Sequence, residues 1–404
     1  MKPHALFLTY HFPLPDEPGA FRPFMEARLM KMAGYDVTVI TSGVQYMTGE
    51  DIRNGKGWVT EETVDGIRIL RTWAVAKHRS SLLRRAANYI SYTALAMAAA
   101  LFKTGAVNRV FAGTDPIFMA PMIFLVAVIK KAGLALDERD LFPETAIATG
   151  VVKEGALTRF LFSMQQFFRR HAVSILTATP GIRRKLIEYG IDEKKVTLLY
   201  NADVFVEEDL AAPDDGPSLR ELTGEGFIAG YAGGLGIVND VGTIMRAALR
   251  LKNVKGMAFV IIGEGEKRKE YEGWIKAEGA RNIYFLGALP RTKTRSLIKQ
   301  MDVCTVALPP GEHFHATLTS KMFDYMAAGK PVLFCGAGDT EDTLAISGGG
   351  ATVPAGDDRG LAELFVEFRD DKARREKTGA DGRKWFEENM GAYQAAGIMK
   401  KVLG

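Results

Sequence analysis

Short apolar runs rich in β-branched residues alternate with helix-length amphipathic stretches along almost the whole chain. In the first half such runs fall at residues 5–10, 36–41, 66–72, 109–113, 133–137, 174–179 and 196–200. Helical stretches lie between them at 21–33, 81–103, 117–131, 156–171 and 180–189. Runs that are apolar at every position belong to strands buried on both faces, and helix-length spacers between them are crossover connections of a parallel sheet.

The alternation stops after residue 201 and resumes at 227. In between, residues 203–226 are acidic and carry Pro213, Asp214, Asp215, Gly216 and Pro217, a composition that reads as a linker. Beyond it, strands are predicted at 227–231, 257–262, 283–286, 303–308, 332–334 and 351–353. Helices are predicted at 240–251, 267–278, 292–300, 320–328, 340–347 and 360–377. The expectation is an α/β protein of two doubly wound, Rossmann-like domains at 1–202 and 227–380, facing a central cleft. The tail 381–404 is expected to be a helical segment packing across both. Open parallel sheets bind ligands outside the carboxyl ends of their strands, so that cleft is the expected site.

A chain of 404 residues exceeds what one core ordinarily serves, in keeping with two domains. The two cysteines, Cys304 and Cys335, fall inside apolar strand-like runs and read as buried thiols of a reducing compartment. The N-terminal stretch has an early proline and too short an apolar core for a secretory signal. Residues 86–102 form the longest apolar stretch, interrupted by Asn88, Ser91 and Thr93 and preceded by Arg79, Arg84 and Arg85. It reads either as a helix buried against a sheet or as one dipping into a membrane interface, with its arginines on anionic headgroups. Charge is uneven: residues 1–205 carry net +7 and the remainder −3, which suits an anionic partner for the first half.

Two glycine clusters, "YAGGLG" at 231–236 and "IIGEGE" at 261–266, follow the first two strands of the second half. Glycine there lets backbone approach a ligand, and a following helix N-terminus favours phosphate. The stretch "TSKMFDYMAAGKPVLF" at 319–334 adds a helix whose start Thr319 or Ser320 can cap. Lys321 lies in its first turn and Asp324 on the same face. A first-turn lysine opposes the helix dipole, so local stability does not account for it, whereas a bound anion would.

That stretch, with "ATPGIRRKLIEYGIDEKKVTLLYNADVF" at 178–205 and "YHFPLPDEPGAFRPFMEARLMKMAGYDVTVITS" at 10–42, resembles the GT-B fold glycosyltransferases of family 4. The likeness is nearest to the bacterial enzymes of O-antigen, capsule and exopolysaccharide assembly. "DERDLFPETAIATG" at 137–150 looks like that branch's Arg-Asp-Leu-Trp-Pro-Glu segment, with Phe142 for the tryptophan.

The resemblance implies a retaining transfer of a hexosyl or N-acetylhexosaminyl group from a nucleotide diphosphate, a UDP-sugar, to a lipid-linked saccharide on a polyprenyl diphosphate. Asp324 matches the second acid of the family's two-glutamate motif, which holds the ribose hydroxyls; the first acid is replaced by Ala316, with Glu312 nearby. Lys321 would lie against the diphosphate, and Gly19 and Gly263 would approach the donor through backbone. Gly234 stands where many relatives carry a diphosphate-binding arginine, and Asn239 and Asp240 near where they carry a lysine. Arg291, with the helix start at Thr319 and Ser320, would then supply the charge. Leu289 and Pro290 sit where the family cradles the base. Asp140 occupies the position of a histidine facing the donor sugar, and Glu144, Phe12 and Arg22 are the expected acceptor contacts. His313 and His315 precede the Thr319 helix without further ligands. No Asp-X-Asp occurs, so no obligatory metal or other cofactor is expected. Nor is a nucleic-acid partner expected; the protein would be cytoplasmic and peripheral on the inner membrane face, its basic first half against the lipid. Two other readings are a UDP-sugar 2-epimerase on the same fold and an inactive nucleotide-sugar-binding scaffold.

Overall fold

The computed structural model describes residues 2–14, 21–45, 48–53, 55, 57–76, 81–114, 116–148, 152–211, 218–236 and 239–404. The chain divides into two compact units, Met1–Tyr200 with Ala392–Gly404, and Asn201–Gly391.

The first unit begins β1 (His4–Leu8), α1 (Arg22–Met32), β2 (Asp36–Ser42), β3 (Val59–Val64), β4 (Ile67–Thr72), α2 (Leu82–Phe102) and β5 (Arg109–Gly113). It continues α3 (Ala120–Lys130), β6 (Gly133–Glu138), α4 (Glu144–Ala148), α5 (Ala156–His171), β7 (Ser174–Thr177), α6 (Pro180–Glu188) and β8 (Val196–Leu198). The sheet order is β3-β4-β2-β1-β5-β6-β7-β8, parallel except for β3. Its order reverses at β1 and β5, where the chain switches the side on which strands are added. The core holds Leu6, Leu8, Ile40, Val110, Ala112 and Leu136 from the strands, packed under α2 and α3.

The antiparallel edge strand β3 is absent from the pattern-based reading. It pairs Val64 with Ile67 across Asp65 and Gly66, both with positive φ (51° and 67°). An Asp-Gly pair of this kind closes a two-residue hairpin whose twist matches its strands.

The second unit opens with two short helices, α7 (Val206–Leu210) and α8 (Leu219–Thr223), in the stretch expected to be a linker. Val206 and Leu219 are fully buried and α7 packs on the helix at Arg291–Gln300, so these two helices are docked on the second unit. There follow β9 (Phe227–Ala232), α9 (Val241–Arg250), β10 (Met257–Ile262), α10 (Arg268–Glu278), β11 (Ile283–Gly287), α11 (Arg291–Gln300) and β12 (Val303–Ala307). The unit ends with α12 (Ser320–Ala327), β13 (Val332–Cys335), α13 (Asp339–Ser347), β14 (Gly350–Val353), α14 (Asp358–Asp370) and α15 (Lys372–Met390). Its sheet is wholly parallel, ordered β11-β10-β9-β12-β13-β14, with the reversal at β9 and β12.

The predicted helix over 360–377 is two helices. Asp371 ends α14 and its carboxylate accepts the Arg374 N–H at 2.8 Å, capping α15. The tail also divides: α15 stays with the second unit, and α16 (Ala392–Leu403) belongs to the first, packed on α1. There the Val402 carbonyl accepts the Ser174 hydroxyl at 2.5 Å, and the Gly404 carbonyl accepts that of Tyr35 at 2.9 Å.

Candidate functional site: a glycine-lined cavity at the strand ends of the second unit

The carboxyl ends of β9, β10 and β11 are tied together past the last strand residues. Gly233 N–H donates to the Ile262 carbonyl, Gly263 N–H to Gly287 and Leu235 N–H to Glu264, at 2.8–2.9 Å. Such close apposition requires glycine. A Cβ on Gly263 would lie 1.9 Å from the Gly233 oxygen, and its φ of +142° suits no other residue. A Cβ on Gly233 would meet the Lys321 side chain at 2.1 Å.

Across these loops stands the first turn of α12. The Tyr325 hydroxyl, fully buried, bridges the Ala232 N–H (2.9 Å) and carbonyl (3.2 Å), fixing α12 against the end of β9. The loops and the helix enclose a cavity of about 370 Å³, lined by Ala232, Gly233, Gly234, Ile262, Gly263, Glu264, Ala288, Leu289, Thr294, Ile298, Lys321, Asp324 and Tyr325. It sits beside the β9–β12 reversal, where open parallel sheets place their ligands. A second hollow of about 410 Å³ lies at the opposite edge, ahead of β12 and β13. Two of its cations are engaged with protein, Arg220 on Asp302 and Lys299 on the Leu210 carbonyl, and it lies away from the carboxyl ends of the strands, so the glycine-lined cavity is the better site.

Lys321 donates to Asn239 Oδ1 at 2.8 Å, and Asn239 donates in turn to the Gly234 carbonyl at 3.2 Å. The ammonium lies 5.9 Å from the Tyr231 ring centre. Burial pushes its pKa down, and Asp324 opposes that only in part. A lysine held by a neutral amide at the mouth of a helix N-terminus retains its positive charge for a ligand anion.

Asp324, a third exposed, accepts from Arg295 at 2.7 Å. Arg295 also reaches Asp203 at 2.8 Å, which makes an Asp203–Arg295–Asp324 chain of charges. Four further expectations are corrected here. Arg291 is turned onto Asp203, and burial beside Arg295 lowers its pKa to about 10, so its charge faces Asp203 and not the cavity. Thr319 does not cap α12: its N–H donates to Thr340 Oγ1 at 3.4 Å and its own buried hydroxyl oxygen makes no hydrogen bond. Ser320 starts the helix exposed, and neither it nor Pro290 lines the cavity. Lys321, Asp324, Gly234, Gly263 and Leu289 all line the one cavity. Sequence reasoning gave no role to Thr294, Arg295, Asp203 or Tyr325: the first two lie outside the motif stretches, and Asp203 and Tyr325, like Glu264, sit inside motif stretches without a feature that marks them.

In the first unit the candidates scatter. Gly19 lies outside the described residues. Phe12 is buried in an aromatic cluster with Phe7 (6.3 Å) and Phe24 (5.8 Å), which makes it a core residue and not an acceptor contact. Arg22 is likewise corrected: it is buried, pairs with Glu26 (2.8 Å) and Asp137 (3.0 Å), and donates to the carbonyls of Leu199 and Tyr200. Arg139 completes this cluster by bonding both Glu26 and Asp137. Burial, reinforced by Asp137, pushes Glu26 up to about 7; burial also acts on Asp137, but Arg139 and Arg22 outweigh it and hold that carboxyl below its usual value. Alongside, fully buried Arg169 bonds both oxygens of Glu138 at 3.0–3.1 Å. Glu144 opens α4 only 4.0 Å from Arg169, and burial and Glu144 raise Tyr189 to about 12. Asp140 is exposed in the bend after β6.

Both halves of the chain match family descriptions. Residues 25–202 match "Glycosyl transferase 4-like domain" and residues 226–371 match "Glycosyl transferases group 1". With the two doubly wound units and the cavity at the second switch point, the chain belongs to the GT-B glycosyltransferases of the family 4 type. Among solved structures it is similar to Anabaena HepE in complex with UDP (TM-score 0.68, 13% identity, 98% of this chain and 97% of that one). It is also similar to the trehalose-6-phosphate synthase OtsA (0.69, 11%, 97% of each) and to WaaG, a glycosyltransferase involved in lipopolysaccharide biosynthesis (0.64, 16%, 99% of each). No curated protein matches it by sequence. HepE has also been solved with UDP-glucose (0.66, 14%, 98% of each).

Proposed function

We propose that the protein transfers a hexosyl or N-acetylhexosaminyl group, with retention of configuration, from a UDP-sugar to a lipid-linked saccharide at the inner membrane face, in cell-surface polysaccharide assembly of the O-antigen or exopolysaccharide kind. The observation that carries this is the convergence of Lys321 and Asp324 with two glycine loops on one cavity. The UDP and UDP-glucose complexes of HepE support the donor class.

In this reading the diphosphate lies against the Gly233–Gly234 backbone with Lys321 on its oxygens, and the Asp324 oxygen not held by Arg295 accepts the ribose hydroxyls. The uracil lies by the backbone around Leu289. The sugar C1–O bond to the diphosphate breaks as the acceptor oxygen bonds C1 from the same face, and the acceptor proton passes to the departing diphosphate. Positive charge on the leaving group lowers the barrier, because negative charge develops there in the transition state. Lys321 and helix N–H groups do this without a metal or another cofactor. Asp140 and Glu144 are the proposed contacts to the sugar or acceptor hydroxyls.

Thermal unfolding with UDP, GDP and UDP-N-acetylglucosamine tests the donor site. UDP at about a hundred times its Kd adds roughly 2.7 kcal/mol, a shift of a few degrees. Asp324→Asn should lose that shift while unfolding within a few degrees of the parent. Equal shifts with GDP and UDP, or an undiminished shift in the variant, would overturn the assignment. A UDP shift without transfer to any lipid-linked acceptor would reduce the protein to a binding subunit.

A further inference from the structure

Four helices of the first unit carry no carboxylate: α2, α3, α5 and α16. The first three are neighbours. α3 packs against both α2 and α5, with Phe124 edge-on to Phe167 at 5.4 Å, and Tyr89 of α2 lies 6.3 Å from Phe118 ahead of α3. The outward stripe of a helix in a water-facing protein is polar. Here each outward stripe carries large apolar side chains instead. On α2 it runs through Leu83 and Ile90, on α3 through Leu125 and Val128, and on α5 through Leu157 and Phe160, where exposures reach 84%, 55% and 66%. Exposed basic side chains border these stripes, among them Arg84, Arg85, Lys103, Arg159 and Arg170.

A contiguous exposed apolar surface marks a partner. The charge selects which one. A face with arginines and no acid on its helices repels a second copy of itself, but matches a surface that is apolar below and anionic above. We infer that the α2–α3–α5 face seats the first unit on a lipid bilayer carrying anionic headgroups, its leucines and phenylalanines at the acyl boundary and its arginines among the phosphates. No helix among the described residues is long and apolar enough to cross a membrane, so the contact lies along the surface. This deepens the membrane part of the proposed function and rests on it, but requires nothing of the donor site.

Co-sedimentation of the full chain tests it, using vesicles of equal parts phosphatidylglycerol and phosphatidylcholine against pure phosphatidylcholine. Binding to the anionic vesicles, weakened by salt, is expected, with little to the neutral ones. Arg84→Ala with Arg85→Ala should weaken it roughly fivefold per arginine removed. Leu157→Ser with Phe160→Ser should weaken it at least tenfold, both side chains being exposed and outside the core. Equal partition onto both vesicle types, no partition onto either, or a dimer in light scattering that Leu157→Ser with Phe160→Ser dissolves would overturn the inference. The UDP thermal shift, read on the same samples, separates the two readings: a shift without vesicle binding removes only this face, and vesicle binding without a shift removes only the donor site.

Discussion

The carboxyl edges of the two sheets are built from the same kinds of residue and put them to opposite use. At the first edge, Arg22, Glu26, Asp137 and Arg139 close on one another, and Arg169 closes on Glu138 with Glu144 beside it. At the second, Lys321 meets a neutral amide, Asp324 keeps a third of its surface, and glycines hold side chains back from about 370 Å³ of space. Ionic groups at a switch point are therefore not a site by themselves. What makes the second edge a site is charge left over after the protein's own pairing, facing a volume that glycine keeps open.

If that contrast holds, substitutions at the first edge change stability and leave UDP binding alone, and those at the second do the reverse. The largest effect is expected for Arg169→Met. It strands the buried Glu138 carboxylate, a loss of about 3–5 kcal/mol in denaturant unfolding, with the UDP shift preserved in whatever protein remains folded. A lost shift in folded protein would merge the two edges into one site.

Glu26→Gln sharpens the contrast through pH. Burial raises the folded pKa of Glu26 from 4.5 to about 7, so the folded protein holds this proton more tightly than the unfolded chain. Its favourable contribution is complete below pH 4.5 and is lost as pH rises through 7, about 3 kcal/mol across that window. The variant, which has no proton to lose, should gain on the parent between pH 5 and pH 8. A parent-minus-variant stability flat in pH would show that Glu26 stays ionised throughout.

Lys321→Met keeps the stem over Gly233 and Tyr231 and removes the charge. UDP affinity should fall by about 1.5–3 kcal/mol, or roughly ten- to a hundredfold in Kd by calorimetry, with unfolding nearly unchanged. Loss of stability in place of affinity would make Lys321 a structural residue like Arg22.

The pattern of the chain discloses the parallel strands well because each carries a short run rich in apolar, β-branched residues, and chain order then implies two doubly wound units. The β3–β4 hairpin escaped although Asp65-Gly66 is a turn signal, because β3 itself, "VTEETV", is too polar for a search for apolar strands. At the site, glycines and a first-turn lysine converge as their types suggest. The failures have a common physical origin. Arg22 and Lys321 look alike in sequence, each a cation near the start of a helix that follows a strand. They differ only in what the fold brings opposite: two buried carboxylates from residues 4 and 115 positions away for Arg22, and Asn239 for Lys321. Likewise Arg291 finds Asp203, and Asp324 finds Arg295, across separations that no local pattern encodes.

The placement of α16 bears on how the protein is made. Its twelve residues complete the first unit, against α1, β7 and β8, yet they are translated after the whole of the second. On a ribosome adding 5–20 residues per second, about 190 residues separate Tyr200 from Ala392, an interval of roughly 10–40 s. Throughout it the first unit must persist with the α1 side of its core uncapped, while the second unit emerges and folds. The unit whose synthesis begins first is the last to be finished.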